Sequence, residues 1–178
     1  LNWKFYLLST ASNNFSSLKS RWNTELGNEY LLKIKKYIEA SSNIPNTIIN
    51  FLDITPPTGF EGTDPNKRDL AFINLDGLEI ENCTLKNAYL SRASITKSKL
   101  SNIQFENCYI DEADLSNSEF YKLIFKENTT LNGTNFKGSQ IIECIFNDYN
   151  IKKAISYSKP SYSIIVLKTL LKFSCIDI

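Results

Sequence analysis

The chain has 178 residues, of which 42% are hydrophobic and 22% charged, and its formal net charge is +1. That is enough apolar material for one ordinary domain with a buried core, and the composition is not that of a disordered chain. The near-zero charge excludes a broad basic field for direct nucleic-acid binding, and the lack of any histidine removes the commonest general base and the commonest metal ligand together.

Methionine is also absent, position 1 included, so a piece of a longer chain is expected, with function lying partly outside it. The four cysteines, Cys83, Cys108, Cys144 and Cys175, show no CxxC spacing, which argues against a zinc ribbon. Residues 1–8 are apolar but carry Lys4 and match a signal peptide poorly. Near the C-terminus the apolar run Ile164, Ile165, Val166 and Leu167 is interrupted by Lys168 and is too short to span a bilayer.

Residues 1–50 read as an α-helical segment. Leu18, Trp22, Leu26, Tyr30, Ile34 and Ile38 recur at every fourth position, with Leu31 and Tyr37 beside them, which makes one apolar stripe. Gly27 marks a break between two helices. Lys33, Lys35 and Lys36 crowd the far end, where cations suit the helix dipole, and Ser41, Ser42, Asn43 and Pro45 end the pattern. Residues 51–69 read as a connector, because Pro56, Pro57, Gly59, Gly62 and Pro65 do not fit together inside one regular element.

From Leu70 a large apolar residue falls at every fifth position. The series is Leu70, Leu75, Ile80, Leu85, Leu90, Ile95, Leu100, Phe105, Ile110, Leu115, Phe120 and Phe125. It slips by one residue and resumes at Leu131, Phe136, Ile141, Phe146 and Ile151. Two residues before most of these stands a small residue, such as Cys83, Ala88, Ala93, Ser98, Cys108, Ala113, Ser118, Thr134, Ser139 or Cys144.

A period of five fits neither standard element. On an α-helix it spirals around the cylinder, and on a flat strand it alternates between faces. The inward positions step by two, then three, then two. A step of two keeps one face of an extended segment, and a step of three requires a corner that brings the next segment's inner face back inside. Each pentapeptide is then one short side plus one corner, and the chain has to wind, with coils roughly 4.8 Å apart.

At Ala113, Asp114, Leu115, Ser116 and Asn117 the sequence resembles the A(D/N)LXX pattern of the pentapeptide-repeat family, with looser matches at Cys83–Leu85, Ala88–Leu90, Ala93–Ile95 and Ser118–Phe120. The resemblance covers about half the chain and implies a mainly β fold, a right-handed quadrilateral β-helix with four pentapeptides per coil. Sorting by four puts Ser98, Ser118 and Ser139 in one column and Phe105, Phe125 and Phe146 in another. The array is assigned to 70–151, and 152–178 to a C-terminal cap with a short helix, because a solenoid end needs covering.

Two departures from the pattern stand out. Ile103 and Leu123 are bulky in the column of Cys83 and Cys144, so that face is expected to bulge. The extra residue within 126–130 is expected to enlarge a corner loop, a common seat of specificity.

Candidate chemistry is sparse. The inward cysteines read as small core residues. Asp111, Glu112, Asp114 and Glu119 cluster near one set of corners and, with Lys126, form a candidate interaction surface. Paired carboxylates can do acid–base work, but outward acids on a solenoid more often only solvate it, and no nucleophile–base pair or phosphate loop accompanies them. No catalytic residue, metal or cofactor is therefore assigned. The Asn-x-Ser/Thr matches are those expected by chance in a chain this rich in Asn, Ser and Thr.

A non-catalytic protein-interaction module is the expected function. The layout is similar to the β-helix domains of effectors that enteric bacteria inject by type III secretion, which implies a bacterial protein acting in the bacterial cytoplasm or inside a host cell and docking a host or bacterial protein. The alternative comes from quinolone-resistance members of the family, which resemble B-DNA and bind DNA gyrase. That role needs a strongly negative surface, whereas residues 70–151 hold 11 acidic and 7 basic residues, a net of −4. A third class, an enzyme on a solenoid wall, is disfavoured by the lack of histidine. The C-terminal segment could also join two copies.

Overall fold

The structure is a computed structural model and describes residues 16–42, 44–126 and 128–146. The expected C-terminal cap and the end of the array at Ile151 lie outside these residues, as does Cys175.

Residues 16–20 are helical, a 3-10 turn follows at Arg21–Asn23, and helix α1 spans Glu25–Ser42. The periodicity places a break at Gly27; the structure places it at the 3-10 turn. Thr24 has extended backbone and starts α1 afresh. Its Oγ1 accepts the Gly27 N–H at 3.0 Å and donates to the Arg21 carbonyl at 2.7 Å, capping one of the helix's free donors. Gly27 serves a different purpose: a Cβ there would collide with the Arg21 carbonyl, so the turn can fold onto the helix only if this residue is glycine. The break also shifts the phase of the stripe. Trp22, Tyr30, Ile34 and Ile38 are buried, but Leu26 is 44% exposed. The three lysines do not reach the helix end, because α1 continues to Ser42 and has no basic residue in its last turn.

The pattern runs the helical segment to residue 50, but the structure ends it in strand β1, Thr47–Asn50, parallel to Cys83–Lys86. Ile48 and Ile49 are β-branched and suit a strand, and β3 offers an unpaired edge there. The stretch 51–69 also builds core. Phe51, Ile54 and Phe60 are buried in it, and Phe60 packs edge-on against Trp22 and Tyr30 at 5.0 and 5.2 Å. Arg21 ties this cap to the solenoid by a two-pronged bond to Asp69 at 2.9 and 3.0 Å.

The remaining strands are β2 (Arg68–Asp69), β3 (Glu79–Tyr89), β4 (Lys99–Tyr109), β5 (Glu119–Tyr121), β6 (Ile124–Phe125) and β7 (Gln140–Ile142), and every pairing is parallel. Register partners lie 20 residues apart, as in Glu79↔Lys99, and 21 apart beyond the insertion, as in Glu119↔Gln140. Twenty residues are four pentapeptides, so the coil has four sides. Side one carries Leu70, Leu90, Ile110 and Leu131, and side two Leu75, Ile95, Leu115 and Phe136. Side three carries Ile80, Leu100, Phe120 and Ile141, and side four Leu85, Phe105, Phe125 and Phe146. All are buried except Phe136, Ile141 and Phe146, which are partly buried and pack against the core.

The corners are made by backbone handedness. Two residues after the central apolar residue, wherever that position is described, the chain turns to positive φ, at Asn82, Asn87, Arg92, Lys97, Asn102, Asn107, Glu112, Asn117 and Lys122 among others, with φ between 54° and 61° in these nine. Asparagine tolerates this left-handed region better than most residues, and five of these nine corners hold it. Several corner asparagines stack. Asn102 Nδ2 donates to Asn82 Oδ1, and Asn107 Nδ2 to Asn87 Oδ1, both at 2.8 Å, and Asn87 in turn donates to Asn50 Oδ1 at 2.9 Å.

Two columns show how the core closes. Ser118 Oγ accepts the Ser98 N–H and Ser139 Oγ accepts the Ser118 N–H, each at 3.1 Å, so the serine column is a hydrogen-bonded ladder. The column of Cys83, Ile103, Leu123 and Cys144 is buried throughout, and β3 and β4 keep register across it, so the extra bulk costs no strand pairing. At the insertion Asn128 Oδ1 accepts the Asn107 N–H at 2.9 Å, and Thr129 turns inward and donates to the Phe105 carbonyl at 3.0 Å. The loop is thus stitched to the coil above.

Candidate interaction surface

The outward residues sit in columns, each side chain one coil from its register partner. Opposite charges recur at that spacing. Lys86 meets Glu106 at 2.6 Å, Arg92 meets Glu112 at 2.7 Å and Lys122 meets Glu143 at 3.7 Å. These pairs are half-exposed to exposed and add little stability, but they mix the signs along the wall. On side one Tyr89 and Tyr109 stack edge-on at 4.7 Å, and the buried Lys67 lies 4.4 Å over the Tyr109 ring while bonding Asp64. None of these outward pairs follows from the five-residue period alone. Lys86–Glu106, Arg92–Glu112 and Tyr89–Tyr109 follow from the twenty-residue one, Lys122–Glu143 spans the insertion, and the Lys67 contacts follow from neither.

Of the candidate residues, the structure brings three together. Asp111 takes Thr130 Oγ1 at 2.9 Å and the Asn132 N–H at 2.6 Å. Glu112, at the same corner, takes Arg92 Nε at 2.8 Å. Asp114 begins the next side and takes the Ser116 N–H at 3.0 Å and Asn135 Nδ2 at 2.9 Å. Each carboxylate is engaged with neighbouring groups, which holds it in place. Glu119 lies on side three, exposed, in register with Lys99 and Gln140. Lys126 is exposed at the far end of side four. Those two do not join the cluster, because the intervening corners turn them onto other walls.

The cysteines are core. Cys83, Cys108 and Cys144 are buried free thiols, and burial pushes them up to about 11, about 12 and about 11 respectively. They are poor nucleophiles in that state. Asp76 behaves in the opposite way. Burial opposes its charge, but Ser94 Oγ at 2.6 Å and the Thr96 N–H at 2.8 Å hold its carboxyl below the ordinary range. Among the described residues, no three His, Cys, Asp or Glu side chains converge to hold a metal ion, and no helix is long and apolar enough to cross a membrane.

A search of curated proteins finds no match to the chain. A family model described as the pentapeptide repeat region matches residues 66–155, half of the chain, a stretch that includes the described coils. With the five-residue side, the twenty-residue register and this match in agreement, the chain belongs to the pentapeptide-repeat family.

Proposed function

We propose that the chain is a non-catalytic docking module whose solenoid wall presents a prearranged polar surface to a partner protein. The observation that carries this reading is the way Asp111, Glu112 and Asp114 are each bonded to a group on a neighbouring coil. Charged side chains held before binding lose little entropy on association. The partner is a protein, of the host cell or of the bacterium, and the reading involves no direct nucleic-acid contact and no cofactor. By the resemblance of its layout, the chain is the repeat domain of a bacterial secreted effector, working in the host cell or the bacterial cytoplasm.

The test is affinity capture from host-cell and bacterial lysates with the wild type and a Glu112→Lys/Asp114→Lys variant. The reading expects a defined protein captured by the wild type and lost, or weakened at least about tenfold, with the variant. Capture that is indifferent to both charge reversals would sink it.

The second reading is a DNA mimic that binds DNA gyrase. The net charge of −4 over residues 70–151 favours it, and the cross-coil pairing of lysine and arginine with those acids weighs against it. Inhibition of gyrase supercoiling at low micromolar protein would reverse the ranking.

A further inference from the structure

Among the described residues the first coil has no coil before it, and its four sides meet that exposure differently. On side one, Arg21 Nη2 donates to the Asp69 carbonyl at 3.3 Å and Trp22 Nε1 to the Ala71 carbonyl at 2.8 Å. On side two, Asn74 Oδ1 accepts the Asp76 N–H at 2.9 Å. On side four, β1 supplies a strand. Side three, at Glu79–Glu81, has a neighbouring strand only on its far edge, at Lys99–Ser101; among the described residues no strand pairs with its near edge.

The direction of the free groups follows from the ladder. One coil later, Lys99 N–H reaches back to the Leu78 carbonyl, and two coils later Glu119 N–H reaches back to the Ser98 carbonyl. On the neighbouring side the Ser94 and Thr96 carbonyls accept the Leu75 and Gly77 N–H groups of the coil before. Residues flanking the central apolar position thus turn both backbone groups toward the preceding coil. Glu79 and Glu81 are the equivalents of Lys99 and Ser101, so each turns an N–H and a C=O into open space. Beside this edge lies a groove of about 450 Å³ whose lining joins Glu79, Ile80 and Glu81 to Ser42 and Pro45 and reaches Lys99 and Ser101 of the next coil.

The groove favours positive charge for two independent reasons. Glu79 and Glu81 flank the edge; the Glu79 side chain is 71% exposed with Lys99 only at 4.0 Å, and Glu81 makes no ion pair among the described residues. The opposite wall is the C-terminus of α1, where the Ser42 hydroxyl and the Ile44 N–H bond the Glu39 and Ser41 carbonyls but no basic residue stands in the last turn to offset the partial negative charge. An edge with free N–H and C=O groups is a template for strand addition. We propose that this edge takes up an extended peptide bearing lysine or arginine, which adds a strand beside Glu79–Glu81. The proposal rests on the reading of the chain as a binding protein, but it concerns a different wall, so Glu112→Lys and a defect here are separable.

The experiment is an amide-resolved NMR titration of the full chain with an eight-residue peptide alternating valine and lysine, and with the same peptide carrying glutamate in place of lysine. The expected result is perturbation confined to Glu79–Asn82 and the last turn of α1, with the lysine peptide binding at least about tenfold tighter. Glu81→Pro removes an edge N–H that the array does not use, and should weaken binding about tenfold or more with the thermal midpoint unchanged. A Glu79→Lys/Glu81→Lys variant, which keeps the backbone intact, should reverse the preference toward the glutamate peptide. Equal binding of the two peptides, shifts elsewhere, no shifts because residues 1–15 or a second copy already fill the edge, or no response to either variant would each overturn the proposal.

Discussion

Lys97 is the sharpest test of how the corners are built. It sits at φ 54° on the corner between sides two and three, flanked in its column by Gly77 one coil earlier and Asn117 one coil later. A lysine in the left-handed region costs about 1 kcal/mol. Lys97→Asn relieves part of that and places an amide where it can stack on Asn117, as Asn82 stacks on Asn102 at 2.8 Å. An exposed bond of this kind adds about 0.5 kcal/mol. The two effects together predict about 1 kcal/mol of stabilisation, or a rise of about 3 °C in thermal midpoint for a chain of this size. The mirror change, Asn107→Ala, puts a side chain without an amide at φ 54° and removes the bond to Asn87 Oδ1, and should cost about 2 kcal/mol. Urea unfolding followed by circular dichroism reads both. If Lys97→Asn destabilises, or Asn107→Ala is neutral, the corners are set by packing and not by the left-handed residue.

Other perturbations probe the rest of the scaffold. Ser118→Ala removes a hydroxyl that donates to the Ile95 carbonyl and leaves the buried Ser98 N–H without its acceptor; about 2 kcal/mol should be lost in the same urea assay. Arg21→Lys cannot reproduce the paired bonds to Asp69 or the contact with its carbonyl, so about 2 to 3 kcal/mol should go, with faster hydrogen exchange at Ala71 and Ile73 than at Ile110 as the specific sign. The three inner thiols make stability fall in alkali. Their folded values lie above the ordinary 9.0, so the contribution is complete below pH 9 and is lost as pH rises toward 11 and 12. The slope is about 1.4 kcal/mol per pH unit per thiol. Cys108→Ala should cut that slope by about a third, and an unchanged urea midpoint profile between pH 8 and 10 in the variant would contradict the assignment. Asp76 works in the acid direction: its lowered carboxyl supports the fold above the ordinary carboxylate value and stops doing so as pH falls below it, so Asp76→Asn should flatten the acid limb of the same profile.

Much of the solenoid is legible in the residues. The five-residue spacing from Leu70 marks every central core position, and the four-fold sort of Ser98, Ser118 and Ser139 finds a column that the structure turns into a ladder. The insertion is also visible as a slip after Phe125. Its outcome is not, because whether Thr129 turns inward and Asn128 replaces a backbone acceptor depends on what the coil above leaves unsatisfied. The acidic cluster was legible only in part. Asp111, Glu112 and Asp114 share a corner, while Glu119 and Lys126 look close in sequence and stand on other walls, since each corner turns the chain onto a new side.

The N-terminal cap was the least legible part. The helical stripe passes through Leu26 without a break, and only the fold of the Arg21–Asn23 turn onto Gly27 shifts its phase. The β-branched Thr47, Ile48 and Ile49 permit a strand, but what makes one is the edge at Cys83–Lys86, far along the chain. Winding and central core positions were legible in the sequence itself, since each pentapeptide meets copies of itself one coil away and the same local rule repeats, while the four sides came from the family resemblance and are fixed by the twenty-residue register. The cap and the stitched insertion were settled by tertiary contact, because they rest on single, unrepeated partners such as Arg21 and Asp69, 48 residues apart.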